Sequence, residues 1–315
     1  MALLHLFIPL FWAWWNFDQL PKLDQIMVWD LSRMAAITNG GRLVVTQDGW
    51  RTWQVAGGAA PFARVSAATW SPSGELLAVY HYVDEEERTE ARFLRSSNWG
   101  KSWQFAGRFP CVGTAAVMKL VALTEITWLA GGECDQAQMI ARTEDEGKTW
   151  RKVMTDDDKR DGVRAIAMGS ERVGWATGYG NFWRTTDGGK TWQSQPSVGP
   201  DRCDFSNDIH AFDEKTAVCV GGWNGLFRTT DGGESWRAIR LSALSHIFTW
   251  RIAGCGRDTA IVVGTNGLVL ISKDRGQTWE MIDLGTTENV LDVGCADNIA
   301  IFVGNFDGIR MIPVP

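Results

Sequence analysis

The sequence predicts an all-β chain folded as a single seven-bladed β-propeller. Three observations carry that prediction. A phrase of the form Ser/Thr-x-Asp-x-Gly-x-Ser/Thr-Trp recurs six times, beginning at Thr46, Ser96, Thr143, Thr185, Thr229 and Ser272. Successive copies start 50, 47, 42, 44 and 43 residues apart, the length of a four-stranded propeller blade. A seventh unit without the phrase, IAIFVGNFDGIRMIPVP (Ile299 to Pro315), ends the chain.

In chain order, the N-terminal segment comes first. MALLHLFIPLFWAWW is too short for a membrane span. It also lacks the basic n-region and small-residue cleavage site of a secretory signal. Residues 1–25 are read instead as a lead-in whose Trp-rich part, FWAWWNFD (Phe11 to Asp18), resembles the strand that follows each box. It is expected to add the missing outer strand to the last unit and close the ring, because closure removes sheet edges. Residues 26–315 supply the blades of the single domain.

Each blade unit then reads the same way. In AVCVGGWNGLFRTTDGGESW (Ala217 to Trp236) an apolar run, a Gly-rich turn and a second apolar run lead into the box. Glycine and asparagine suit such hairpins because they tolerate positive φ. A further short strand precedes each unit, for example Arg164–Met168 or Thr249–Gly254, which makes four strands in a meander. The box is the turn between strands three and four. Its acidic position (Asp48, Asn98, Asp145, Asp187, Asp231, Asp274) is expected to accept hydrogen bonds from turn amides, a structural use. Its Trp is expected to pack between sheets. Two copies depart from the pattern: TQDGWRTW places Trp50 where Gly is expected, and SSNWGKSW has Asn98 for Asp.

The 315 residues carry a net charge of −6, so no overall basic field invites nucleic acid. With four His and no CxxC pair, no zinc site or other metal centre is expected, and no cofactor. Six Cys admit three disulfides. Even counts argue for bridges mainly in short secreted chains, and Cys219 and Cys255 are read as small buried thiols in strand-like settings. Buried thiols and the lack of a signal favour a cytoplasmic location, with periplasmic or lumenal ones as alternatives.

Binding residues are sought on the face away from the boxes, where the hairpins and blade links vary. Two loops there are dense in acid, Asp84, Glu85, Glu86 and Glu87, and Asp156, Asp157 and Asp158. They face water or steer a basic partner. Tyr179, Trp223 and Phe306 recur near the same hairpin and suit either an interface or inter-blade packing. The strands entering the blades offer Arg64, Lys119, Arg164 and Arg251, with His210 in a similar register. An enzyme would need paired carboxylates meeting across the central channel, for example Asp208 and Asp292, and nothing in the sequence places them there.

The boxes and spacing resemble the Asp-box, or bacterial neuraminidase repeat, of sialidases, sortilin-type receptors and xyloglucan-cleaving hydrolases. Phrases such as VGWATGYGNFWRTTDGGKTW are similar to the photosystem II stability/assembly factor family over about residues 26–315. That resemblance implies a seven-bladed propeller acting as an assembly chaperone, with an arginine-rich patch for a membrane-protein precursor. No continuous arginine row can be read here. The Arg-Ile-Pro segment of sialidases is absent, and Tyr80, Tyr82 and Tyr179 lack the nucleophile's context. The expected function is therefore a non-catalytic scaffold that binds another protein, assembly-factor-like or partner-neutralising in the manner of an immunity protein. A glycan-binding lectin and a sialidase-like hydrolase are the alternatives.

Overall fold

A computed structural model describes residues 20–57, 64–83, 88–157, 162–178, 180–195, 206–221, 225–241 and 247–314. Seven small antiparallel sheets form the blades of a β-propeller. Six have four strands in sequential order, and the seventh has three among the described residues. The inner strands are Leu23–Val28, Arg64–Trp70, Ala115–Ala122, Val163–Met168, Asp208–Ala211, Thr249–Gly254 and Val290–Ala296. They follow one another around the channel, and the last packs against the first. That seam is tight: a Cβ added to Gly294 would stand 2.4 Å from Val28 Cγ2. The segment expected to supply the seventh outer strand, Phe11 to Asp18, lies outside the described residues.

The core sits between blades. The second strands are buried on both faces, as in Met34–Thr38 and Ala260–Gly264, so they read as continuous apolar runs. Hydrophobic clusters join neighbouring blades, for example Leu23 and Ile26 with Ile301 and Val303 across the seam. The six box tryptophans are half-buried. Trp150 stacks on Phe93 of the preceding blade with ring centroids 4.0 Å apart.

The cysteine expectation is corrected. Cys111 bridges Cys134, with Cα atoms 5.5 Å apart, and Cys255 bridges Cys295 at 5.3 Å. Cys219 is disulfide-bonded too. In apolar strand sequence a thiol and a half-cystine look alike, and the bridge depends on which strands the ring makes neighbours. Bridged cysteines persist in oxidising compartments, which removes the buried-thiol ground for a cytoplasmic location. No helix among the described residues is long and apolar enough to cross a membrane.

Candidate functional site

Strand direction fixes the two faces. In a meander the first–second turns and the box turns share one face. The second–third hairpins and blade links share the other, so each inner strand starts at the link face.

On the first face, the boxes form one repeated cage. In the fifth blade Thr229 Oγ1 donates to Asp231 Oδ1 (2.8 Å) and accepts from Gly233 N (2.9 Å), while Ser235 N donates to Asp231 Oδ1 (3.0 Å). Slight burial opposes ionisation of Asp231, and the hydrogen bonds from Ser235 and Thr229 outweigh it, holding the carboxyl at about 2. Asp48, Asp145, Asp187 and Asp274 sit in matching cages, and their carboxyls are likewise lowered. Asn98 keeps the geometry through Ser96 and Ser102. The fourth and fifth box positions are left-handed in every copy. Trp50 takes φ 70° and Trp99 φ 61° where Gly would be unstrained. Trp50 is buried, with its indole N–H on Met34 Sδ at 3.1 Å.

A row of arginines does exist, on this box face. Arg95, Arg142, Arg184 and Arg228 each precede a box by one residue and reach the fourth box position of the next blade. Arg142 Nε donates to Gly188 O (3.2 Å) and Arg228 Nε to Arg275 O (2.9 Å). Arg95 pairs with Glu146, and Arg184 lies against Gly232. Where the first blade has Val45 instead, Arg33 lies over the Trp99 ring at 5.4 Å. The repeated Arg immediately before the Ser/Thr that opens the box was the sequence signal for this row.

At the link face the channel mouth is built by β-bulges. One residue near the start of each inner strand falls out of register: Asp24, Ser66, Met118, Arg164, Trp250 and Leu291. In the fifth blade Asn207 and Asp208 both meet Val220. A bulge re-aims side chains, and here it brings charged groups from several blades together. Arg164 Nη1 donates to Asn207 Oδ1 (3.0 Å), and Arg251 Nη1 donates to Asn207 O (3.5 Å) and Trp250 O (3.3 Å). Lys119 Nζ lies 3.6 Å from buried Asp208 Oδ1, and Ile252 N donates to Asp208 Oδ2 (3.3 Å).

Asp292 accepts from Ile26 N and Val293 N, both at 2.9 Å. Burial pushes its carboxyl up to about 6, with Arg251 opposing and the charge of Asp208 adding to the rise. The two carboxylates thus interact electrostatically. His210 packs edge-on to Phe212 at 4.7 Å. Its ring fills the space a Cβ on Gly254 would need, 2.3 Å from Cε1. Burial drives the imidazole down to about 4, with Asp208 opposing. Arg64 is exposed at a strand start, where its charge opposes the burial that raises the Asp24 carboxyl.

Other candidate residues separate from this mouth. Phe306 is buried in the cluster between the sixth and seventh blades, with Arg310 over its ring at 4.9 Å. It is a packing residue, not an exposed aromatic. Asp156 is half-buried at the end of a strand and Asp157 is exposed. Asp84, Glu85, Glu86, Glu87, Asp158, Tyr179 and Trp223 lie outside the described residues. Among the described residues no group of three or more acidic, Cys or His side chains is placed to hold a metal ion.

Residues 201–291 match the family model of the photosynthesis system II assembly factor YCF48. The chain resembles that family. No curated protein matches it. Two solved structures of YCF48 share the fold. One is bound to a D1 peptide, with a TM-score of 0.70, 17% identity, 94% of this chain covered and 92% of that one. The other, from Cyanidioschyzon merolae, has a TM-score of 0.67 at 17% identity, with coverage of 93% and 95%. The GH74 xyloglucanase of Xanthomonas campestris also superposes, with a TM-score of 0.71 at 14% identity over 92% of this chain. The chain spans 51% of that enzyme.

Proposed function

We propose that this chain is a non-catalytic, protein-binding propeller of the assembly-factor kind, which receives a polypeptide segment at the channel mouth on the face opposite the boxes. The observation that carries this reading is the convergence of Arg164 and Arg251 on Asn207. Guanidiniums from the fourth and sixth blades are held on one residue of the fifth, a preorganised arrangement for a carboxylate. The resemblance to YCF48, and a YCF48 structure bound to a D1 peptide, support a protein partner. The partner segment is proposed to present an acidic group there, rather than the basic character expected from the acidic loops.

The hydrolase alternative would use Asp292 as the protonated acid and Asp208 as its partner. Both carboxylates are already engaged by backbone amides, and Asp208 also by Lys119. That engagement supports a structural use for the pair.

Titration of a fluorescein-labelled acidic peptide into the purified chain tests the reading. Arg164→Gln and Arg251→Gln are each expected to weaken binding about tenfold, the loss of one charge-assisted hydrogen bond. Unchanged affinity in both variants overturns the site.

A further inference from the structure

The third and fifth blades carry the same pair of arginines across their two outer strands. Arg142, just before the box, lies directly opposite Arg151, just after it. Arg228 lies directly opposite Arg237 in the same two places. Like charges directly opposite each other destabilise a sheet. In the third blade Glu144, the second box residue, offsets that repulsion. Its carboxylate pairs with Arg142 and lies 3.8 Å from Arg151 Nη2. The hydrogen bond from Arg142 lowers the Glu144 carboxyl, and the charges of Arg142, Arg151 and Lys190 of the next blade add to the effect.

The fifth blade has Thr230 in the place of Glu144, and the next blade has Gln277 in the place of Lys190. Among the described residues Arg228 and Arg237 form no ion pair. Arg228, Thr230, Arg237 and Gln277 line a cavity of about 250 Å³. They are the counterparts of Arg142, Glu144, Arg151 and Lys190, so the cavity stands where the Glu144 carboxylate stands two blades earlier. Arg228 is fixed at its edge, with Nε donating to Arg275 O (2.9 Å). Burial disfavours the charge of Arg228; Asp274 opposes that, and the nearby charge of Arg275 adds to it. Asp231 also lines the cavity, but both its oxygens are engaged within the box by Thr229 and Ser235. Asp145 is engaged in the same way by Thr143 and Thr149 beside Glu144. A caged box carboxylate therefore does not keep a second carboxylate from the arginines.

We propose that the cavity between Arg228 and Arg237 is a carboxylate-binding site on the box face, where a ligand's carboxylate joins the two guanidiniums as Glu144 joins Arg142 and Arg151. Charge-assisted bonds from arginine to a carboxylate are strong and geometrically specific. The Gln277 amide adds a neutral donor. The carboxylate belongs to a small free acid or to an acidic side chain of a polypeptide, and the chemistry of recognition is the same for both. The site lies on the face opposite the channel mouth and shares no residue with it.

The test follows the arginine Nε–Hε resonances of the full chain labelled with nitrogen-15 arginine. Arg228→Gln and Arg237→Gln identify the two resonances by their loss. Propionate, acetyl-Gly-Glu-Gly-amide and its Gln counterpart are titrated at constant ionic strength, because surface charges are screened by salt. Saturable shifts of both resonances are expected with the two acids and not with the Gln peptide. Tighter binding of the Glu peptide than of propionate assigns the carboxylate to a polypeptide, and equal binding assigns it to a free acid. Arg237 is exposed, and Arg237→Gln is expected to weaken binding, read at Arg228, about tenfold. Thr230→Glu supplies the carboxylate from within the chain. It is expected to raise the melting temperature at neutral pH and to abolish the saturable shifts. No saturable shift with either acid, equal shifts with the Gln peptide, or wild-type affinity in Thr230→Glu overturns the site. Arg164 and Arg251 report on the mouth in the same spectra, so failure of one site is distinguishable from failure of the other.

Discussion

Asp292 joins structure to pH at the level of one residue. Burial raises its carboxyl to about 6 from an ordinary 3.8. A carboxyl raised on folding favours the native state in its protonated form. Its contribution is fully present below the unfolded value, near pH 4, and is lost as pH rises through about 6. The cage Asp231, held at about 2, has the opposite sign: its contribution is present above pH 4 and lost as pH falls towards 2. Asp292→Asn keeps an acceptor for Ile26 N while removing the charge. The variant is expected to melt with the wild type at pH 4 and to be more stable above pH 7, by on the order of 1–2 kcal/mol. A melting series from pH 4 to 8 checks this; a constant offset across it would show that the charge is not the cause.

At the scale of the element, the sequence made the blade legible and left the joints between blades obscure. The box could be read because its hydrogen bonds close within seven residues, from Thr229 to Ser235. Arg164, Arg251, Asp208 and Asp292 were found as separate candidates, since strand register alone marks the channel. The convergence of the two arginines on Asn207 was not legible, because it depends on bulges and on the curvature of the ring. Phe306 shows the reverse limit: a hairpin aromatic looks the same in sequence whether it faces water or the next blade.

The arginine row is the clearest element-level contact that sequence reading passed over. Arg142 is 5% exposed, and its Nε satisfies the Gly188 carbonyl of the following blade. Arg142→Ala strips a packed stem and orphans that carbonyl, so a cost of about 2–3 kcal/mol is expected in urea unfolding. Arg142→Lys should recover only part of it, since an ammonium lacks the planar fork. A loss below about 0.5 kcal/mol for the alanine variant would mean the row does not hold the blades together.

The whole ring depends on how its first and last blades meet. The inner strands already join there through Ile26 N and Asp292 Oδ2, through Val28 against Gly294, and through a shared apolar cluster. The Cys255–Cys295 bridge ties the sixth blade to the seventh nearby. What the seam lacks among the described residues is an outer partner for the strand Arg310–Pro313, which every other third strand has. Such an edge invites pairing with another chain. The Trp-rich Phe11 to Asp18 segment is proposed as that partner, because its pattern matches the strand after a box. Deletion of residues 1–19 is therefore expected to lower the melting temperature by several degrees or more and to shift the chain towards dimers in size-exclusion chromatography, through the exposed edge. An unchanged melting curve and a monomeric profile would show that the inner-strand seam and the bridge close the ring by themselves. The segment would then be free for a different role.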